Sequence, residues 1–146
     1  MDELVRPAES GDADDLQMLE GLARSGLIEQ RGGPQFLAEQ PEVVDWSALL
    51  QRGDRAVFVG SLDGVVFGYL ELAFEAGAAT VRQVYVHPEA RELGLGDGLL
   101  AAALERARGR GCSVLEGTAL PGDRDTKNLY ERAGITARKL TVSKPL

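Results

Sequence analysis

Between Ser10 and Gly26 the chain reads "SGDADDLQMLEGLARSG", with apolar residues at Ala13, Leu16, Leu19, Leu22 and Ala23 and acids in the first turn. That helical spacing predicts an amphipathic helix closed at Gly26. Residues 27–53 break the rhythm at Pro34 and Pro41 and predict irregular helical material, with a short helix through Trp46 and Leu50. From Arg55 the period falls towards two: "RAVFVGSLDGVVFGYLELAF" holds two β-branched and aromatic runs around Asp63-Gly64, the signature of a hairpin. A third strand, "ATVRQVYVHP", ends at Pro88. Glycines at 94, 96 and 98 then lead into a helix whose apolar set is Leu99, Leu100, Ala103, Leu104 and Ala107. "CSVLEG" predicts another strand, "DRDTKNLYERAG" a helix closed by Gly134, and "TARKLTVS" a final alternating strand. The order implies an α+β fold in one domain, with a mixed, mostly antiparallel central sheet flanked by helices.

Composition narrows the function. At 146 residues with 44% apolar and 27% charged positions, the chain suits one globular domain. Its formal charge of −7 argues against a nucleic-acid surface and favours neutral or cationic partners. No apolar run is long enough to span a membrane, and "MDELVRPAES" begins with acids where a signal peptide has basic and apolar stretches, so a cytoplasmic location is expected. One cysteine and one histidine allow no internal disulfide and no zinc cluster, so no metal is expected. Cys112 and His87 each have an ordinary structural reading, as a small half-buried residue and a strand-to-loop corner.

The glycine turn carries the most chemistry. A helix start gathers unpaired N–H groups and the positive end of the dipole, and glycines let that backbone approach a phosphate. The same glycines also suit a tight strand-to-helix loop. Two nucleotide motifs fail: no Gly-Lys-Ser/Thr is present, and a dinucleotide fingerprint would need glycine where Leu99 stands. What remains is Arg91-x-x-Gly94-x-Gly96 after a strand ending "VHP". With "NLYERAGI" one strand later, it resembles the two hallmark segments of the GNAT superfamily of acyl-CoA-dependent N-acyltransferases. The resemblance spans residues 3–143 and is most specific between Val81 and Gly134.

That resemblance implies a single GNAT-like acyltransferase domain over residues 1–146, acting by direct transfer from acetyl-CoA, as co-substrate, to a primary amine. The main chain of Val84, Tyr85 and Val86 would hold the pantetheine arm, with one N–H there, that of Val84, facing the thioester carbonyl. Arg91, Glu92, Leu93, Gly94, Leu95, Gly96 and Asp97 would wrap the pyrophosphate. Two departures stand out. Asp97 sits where the family often has a basic or hydroxyl residue, so it must turn away or cap the helix. Asp123 occupies the place of a common asparagine, a contact that Asn128 could also supply. Tyr130 matches the residue that protonates the departing thiolate. The glutamate that histone-modifying relatives use is replaced by Thr80. Glu116, in a "LEG" similar to the "LEV" of ribosomal-protein N-terminal acetyltransferases, is the first choice of base, with Glu71 and Glu75 behind it. The acceptor, a small-molecule or peptide or protein amine, would enter beside residues 24–53 and the hairpin, near Arg31, Phe36 and Trp46. A homodimer is open, since relatives often pair through sheet edges. So are a catalytically inactive acyl-CoA-binding sensor and an assembly subunit with a vestigial cofactor turn.

Overall fold

The strands follow from the alternation. In the computed structural model, which describes residues 4–146, Ala56 and Phe58 of the second strand face one core while Val57 and Val59 face another. Residue 3, where the family resemblance begins, lies outside the described residues. The strands are β1 (Val5–Pro7), β2 (Arg55–Leu62), β3 (Val65–Glu75), β4 (Ala78–Val86) and β5 (Val114–Gly117). They form a sheet in that order, the first three pairings antiparallel and β4–β5 parallel. The β2–β3 turn places Asp63 and Gly64 at φ 50° and 82°, the doubly left-handed form that Asp-Gly favours. Ala76 and Gly77 repeat it between β3 and β4 at φ 53° and 78°.

Helices cover both faces. On one, α4 (Leu95–Gly109) and α5 (Arg124–Arg132) set Leu99, Leu100, Ala103 and Leu129 against Phe58, Leu70 and Leu72. On the other, α1 (Ala13–Leu27) and α3 (Trp46–Leu50) bring Leu16, Leu19 and Trp46 onto Val59 and Tyr69. Trp46 meets the Tyr69 ring edge-on, with centroids 5.8 Å apart. Between them α2 (Gly33–Glu39) starts with Pro34 in its first turn, where proline loses nothing. No helix among the described residues is long and apolar enough to cross a membrane.

Three expectations change. The short edge strand β1 was not foreseen, because "VRP" is too brief to show a period. Helix α1 runs through Gly26 to Leu27; a Cβ at Gly26 would meet nothing within 4 Å, so packing does not require the helix to stop there. The alternating segment 136–143 forms no strand, and its Leu140 and Val142 are 85% and 91% exposed. Alternation stabilises a strand only where a ladder and a buried face receive it. Among the described residues β5 therefore pairs with β4 alone.

Candidate active site

The parallel pairing of β4 with β5 ends at Val81 opposite Gly117, while β4 continues to Val86 against β3. Beyond Val81 β4 has no strand partner on that side among the described residues, because β5 ends at Gly117. His87 donates its N–H to Phe67 O at 2.7 Å. By antiparallel alternation, the main chains of His87 and Tyr85 face β3, and those of Val84 and Val86 face the other side. The carbonyl of Val86 accepts from Arg91 Nε at 3.1 Å, and Val84 lines a cavity. The edge of β4 that lacks a strand partner is thus at Val84 and Val86, with the Val86 carbonyl met by Arg91, whereas the main chain of Tyr85 is turned to β3.

The glycine turn lies at the same end. Arg91 is extended, Glu92 takes φ 68°, and Gly94 caps α4 at φ 85°. The first bond of α4 is Gly98 N–H to Gly94 O. Among the described residues no oxygen takes the N–H of Leu95, Gly96 or Asp97, and no side chain caps the helix. These amides converge with the dipole of a 15-residue helix, an arrangement suited to a phosphate group. Leu93 is exposed. Asp97 does not cap the helix; its carboxylate meets Arg132 Nε of α5 at 3.0 Å, which offsets its charge beside any anion. Gly96 is close-packed too: a Cβ there would lie 3.3 Å from Leu129 and 3.7 Å from Val86.

Between this edge and α1–α3 lies a cavity of about 460 Å³, walled by Leu27, Phe36 and Val43 on one side and by Val84, Asp123 and Tyr130 on the other. Its floor is polar. Gln83 donates to Glu71 at 2.9 Å and to Glu20 at 3.1 Å, and its oxygen accepts the hydroxyl of Tyr69. Arg55 at 3.1 Å and Arg82 at 3.7 Å balance the charge of Glu71. Burial pushes the Tyr69 hydroxyl well above its ordinary range, with Glu20 and Glu71 adding to the effect. Tyr130 is buried, and its hydroxyl lies where a Cβ on Gly117 would be, at the end of β5. Burial raises its pKa as well, so it remains a neutral O–H donor.

The other expected residues are dispersed. Asp123 caps α5, accepting from Thr126 N at 3.1 Å and from its hydroxyl at 2.7 Å, and lines the cavity. Asn128, Glu116 and Glu75 are exposed, and none of them lines the cavity. Glu71 does line it. Of the expected acceptor-side residues, Phe36 lines the cavity, Arg31 is exposed outside it, and Trp46 borders it through Glu20. Glu20 and Gln83 were missed by the sequence reading. Glu20 did leave a signal, a carboxylate in register with Leu16 and Ala23 on the apolar stripe of α1.

Residues 24–135, more than half of the chain, match the profile of the family described as Acetyltransferase (GNAT) family. An uncharacterised N-acetyltransferase in the hisH-hisA intergenic region of Azospirillum brasilense is 39% identical over 77 residues, 48% of this chain and 46% of that protein. The match thus spans about half the length of that curated relative. Similar solved structures include AAC(6')-Iy bound to the bisubstrate analog CoA-S-monomethyl-acetylneamine, with 19% identity, TM-score 0.68 and 97% of each chain covered. Another is a ribosomal-protein-alanine N-acetyltransferase from Brucella melitensis biovar Abortus 2308, with 22% identity, TM-score 0.68 and 97% and 96% of the two chains covered. At these identities the likeness speaks for the fold.

Proposed function

Because the chain belongs to the acetyltransferase (GNAT) family, we propose that it transfers the acetyl group of acetyl-CoA directly to a primary amine held in the same cleft. The observation that carries this reading is the end of β5 at Gly117, opposite Val81, beyond which β4 runs on to Val86 with no strand partner on that side and Val84 lines a cavity. The residues present fit the co-substrate. The edge at Val84 and Val86 would bind the amides of the pantetheine arm as an added strand, and the N–H groups of residues 92–97 would take the diphosphate beside Arg91.

Acetyl-CoA supplies an acyl carbon activated by a thiolate leaving group. The N–H of Val84 would donate to the thioester oxygen as negative charge develops there. A carboxylate in the cavity wall would take one proton from the substrate ammonium, freeing the lone pair that forms the N–C bond as the C–S bond breaks. The Tyr130 hydroxyl would donate its proton to the departing sulfur, and the second proton of the amine nitrogen would restore the hydroxyl through solvent. The base role expected at Glu116 fits a cavity carboxylate better, since Glu116 is exposed outside that wall.

Calorimetric titration with acetyl-CoA beside a thiol-release assay over a panel of primary amines tests the reading. Saturable heat together with amine-dependent thiol release is expected. Binding without release would support an inactive acyl-CoA-binding domain instead, and absence of binding would overturn both.

A further inference from the structure

The two carboxylates on the cavity floor are not alike. Glu71 has two guanidinium partners, whereas Glu20 is 1% exposed and its oxygens accept only from neutral donors. Those donors are the Val43 N–H at 3.2 and 3.3 Å, the Trp46 indole at 3.2 Å and the Gln83 amide at 3.1 Å. Among the described residues no cationic side chain forms an ion pair with it within 4.0 Å.

Nearby charge does not supply one either. Arg24 stands four residues along α1, where it could pair with Glu20, but its guanidinium is held by the carbonyls of Leu37 and Gln40 at the end of α2. Arg55 and Arg82 are engaged by Glu71, and Glu42 adds like charge. Burial accordingly pushes the Glu20 carboxyl above the usual carboxylate range. A buried carboxylate surrounded only by neutral donors favours a cation over a neutral ligand of the same shape. Glu20 also lines the cavity into which Val84 and Tyr130 face.

We infer that Glu20 is the seat of the acceptor's ammonium group. This rests on the reading of the cavity as the acceptor side of an acyltransferase. Gln83 and Trp46 fix the orientation of the carboxylate, and Glu71, already neutralised, shapes the floor.

Trp46 is the sole tryptophan of the chain and donates to Glu20, so its fluorescence reports on this site directly. The wild-type protein is titrated with n-butylammonium chloride and with 1-butanol at constant ionic strength, and acetyl-CoA binding is measured in parallel by calorimetry. The expected result is a saturable emission change with the ammonium and none with the alcohol. Glu20→Gln should weaken the ammonium response by about tenfold or more while acetyl-CoA binding is retained. An equal response to both probes, no saturable response to the ammonium, or unchanged ammonium affinity in Glu20→Gln would each overturn the inference. Should the variant not fold, as judged by circular dichroism, the comparison of the two probes on the wild type decides. Failure of the wild type to bind acetyl-CoA would instead overturn the acyltransferase reading, and with it the acceptor role of Glu20, even where the ammonium response is retained.

Discussion

A single hydroxyl and a single missing side chain meet where β5 stops. Tyr130 reaches the end of β5 only because Gly117 has no Cβ, which would collide with the phenol. Burial keeps that phenol protonated, so it enters the site as a neutral O–H and not as a base at neutral pH. Tyr130→Phe is therefore expected to lower kcat for acetyl transfer by about 100-fold, with little change in the Michaelis constant of the amine. An unchanged kcat in the thiol-release assay would remove Tyr130 from the chemistry. At this scale the sequence was a mixed guide. Tyr130 stood out through "NLYERAG", but the expected base, Glu116, was singled out by a three-letter likeness that carries no information about which face of β5 meets a cavity.

Helix α4 shows how one element satisfies several demands with one residue type. Gly94 supplies the left-handed cap, Gly96 admits Leu129 of α5, and Gly98 admits Val5 of β1, whose Cγ2 would lie 2.9 Å from a Cβ there. The sequence offers Gly94 and Gly96 as a ligand turn; that Gly96 and Gly98 are close-packed is revealed only by the neighbouring elements. Gly94→Ala, at φ 85° with open space around it, is expected to cost about 1 kcal/mol through backbone strain alone. Gly109→Ala in the last turn of the same helix, where φ is helical and a Cβ would meet nothing within 4 Å, should instead gain up to about 1 kcal/mol. Thermal unfolding of the two variants checks the pair, and shifts of the same sign would refute the account.

Across the whole molecule, the sheet is joined to its first helical layer by an ion pair. Arg6 of β1 holds Asp12, at the start of α1, through two bonds of 2.8 and 2.9 Å, and Asp12 also accepts from Glu9 N at 2.7 Å. The hydrogen bond from Arg6 holds the Asp12 carboxyl below its ordinary value of 3.8. The unfolded chain then binds the proton more readily than the folded one. The stabilisation is fully present above pH 3.8 and is lost as pH falls through the lower folded-state value. Asp12→Asn should cost about 2 kcal/mol near neutrality, and its melting deficit should shrink as pH drops below 3.8. A deficit independent of pH would show that the charge on Asp12 contributes nothing.

Order and type of the central elements, the single α+β domain and the glycine turn were set by the sequence itself, because periodicity and turn chemistry are local and act within a few residues. The point along β4 at which β5 stops, the pairing of Asp97 with Arg132, the fate of residues 136–143 and the isolation of Glu20 were decided by tertiary structure. Each depends on which groups far apart in the chain come within reach of one another. Glu20 and Gln83, 63 positions apart, touch because α1 packs on the face of the sheet on which the Gln83 side chain lies. No local pattern encodes that distance.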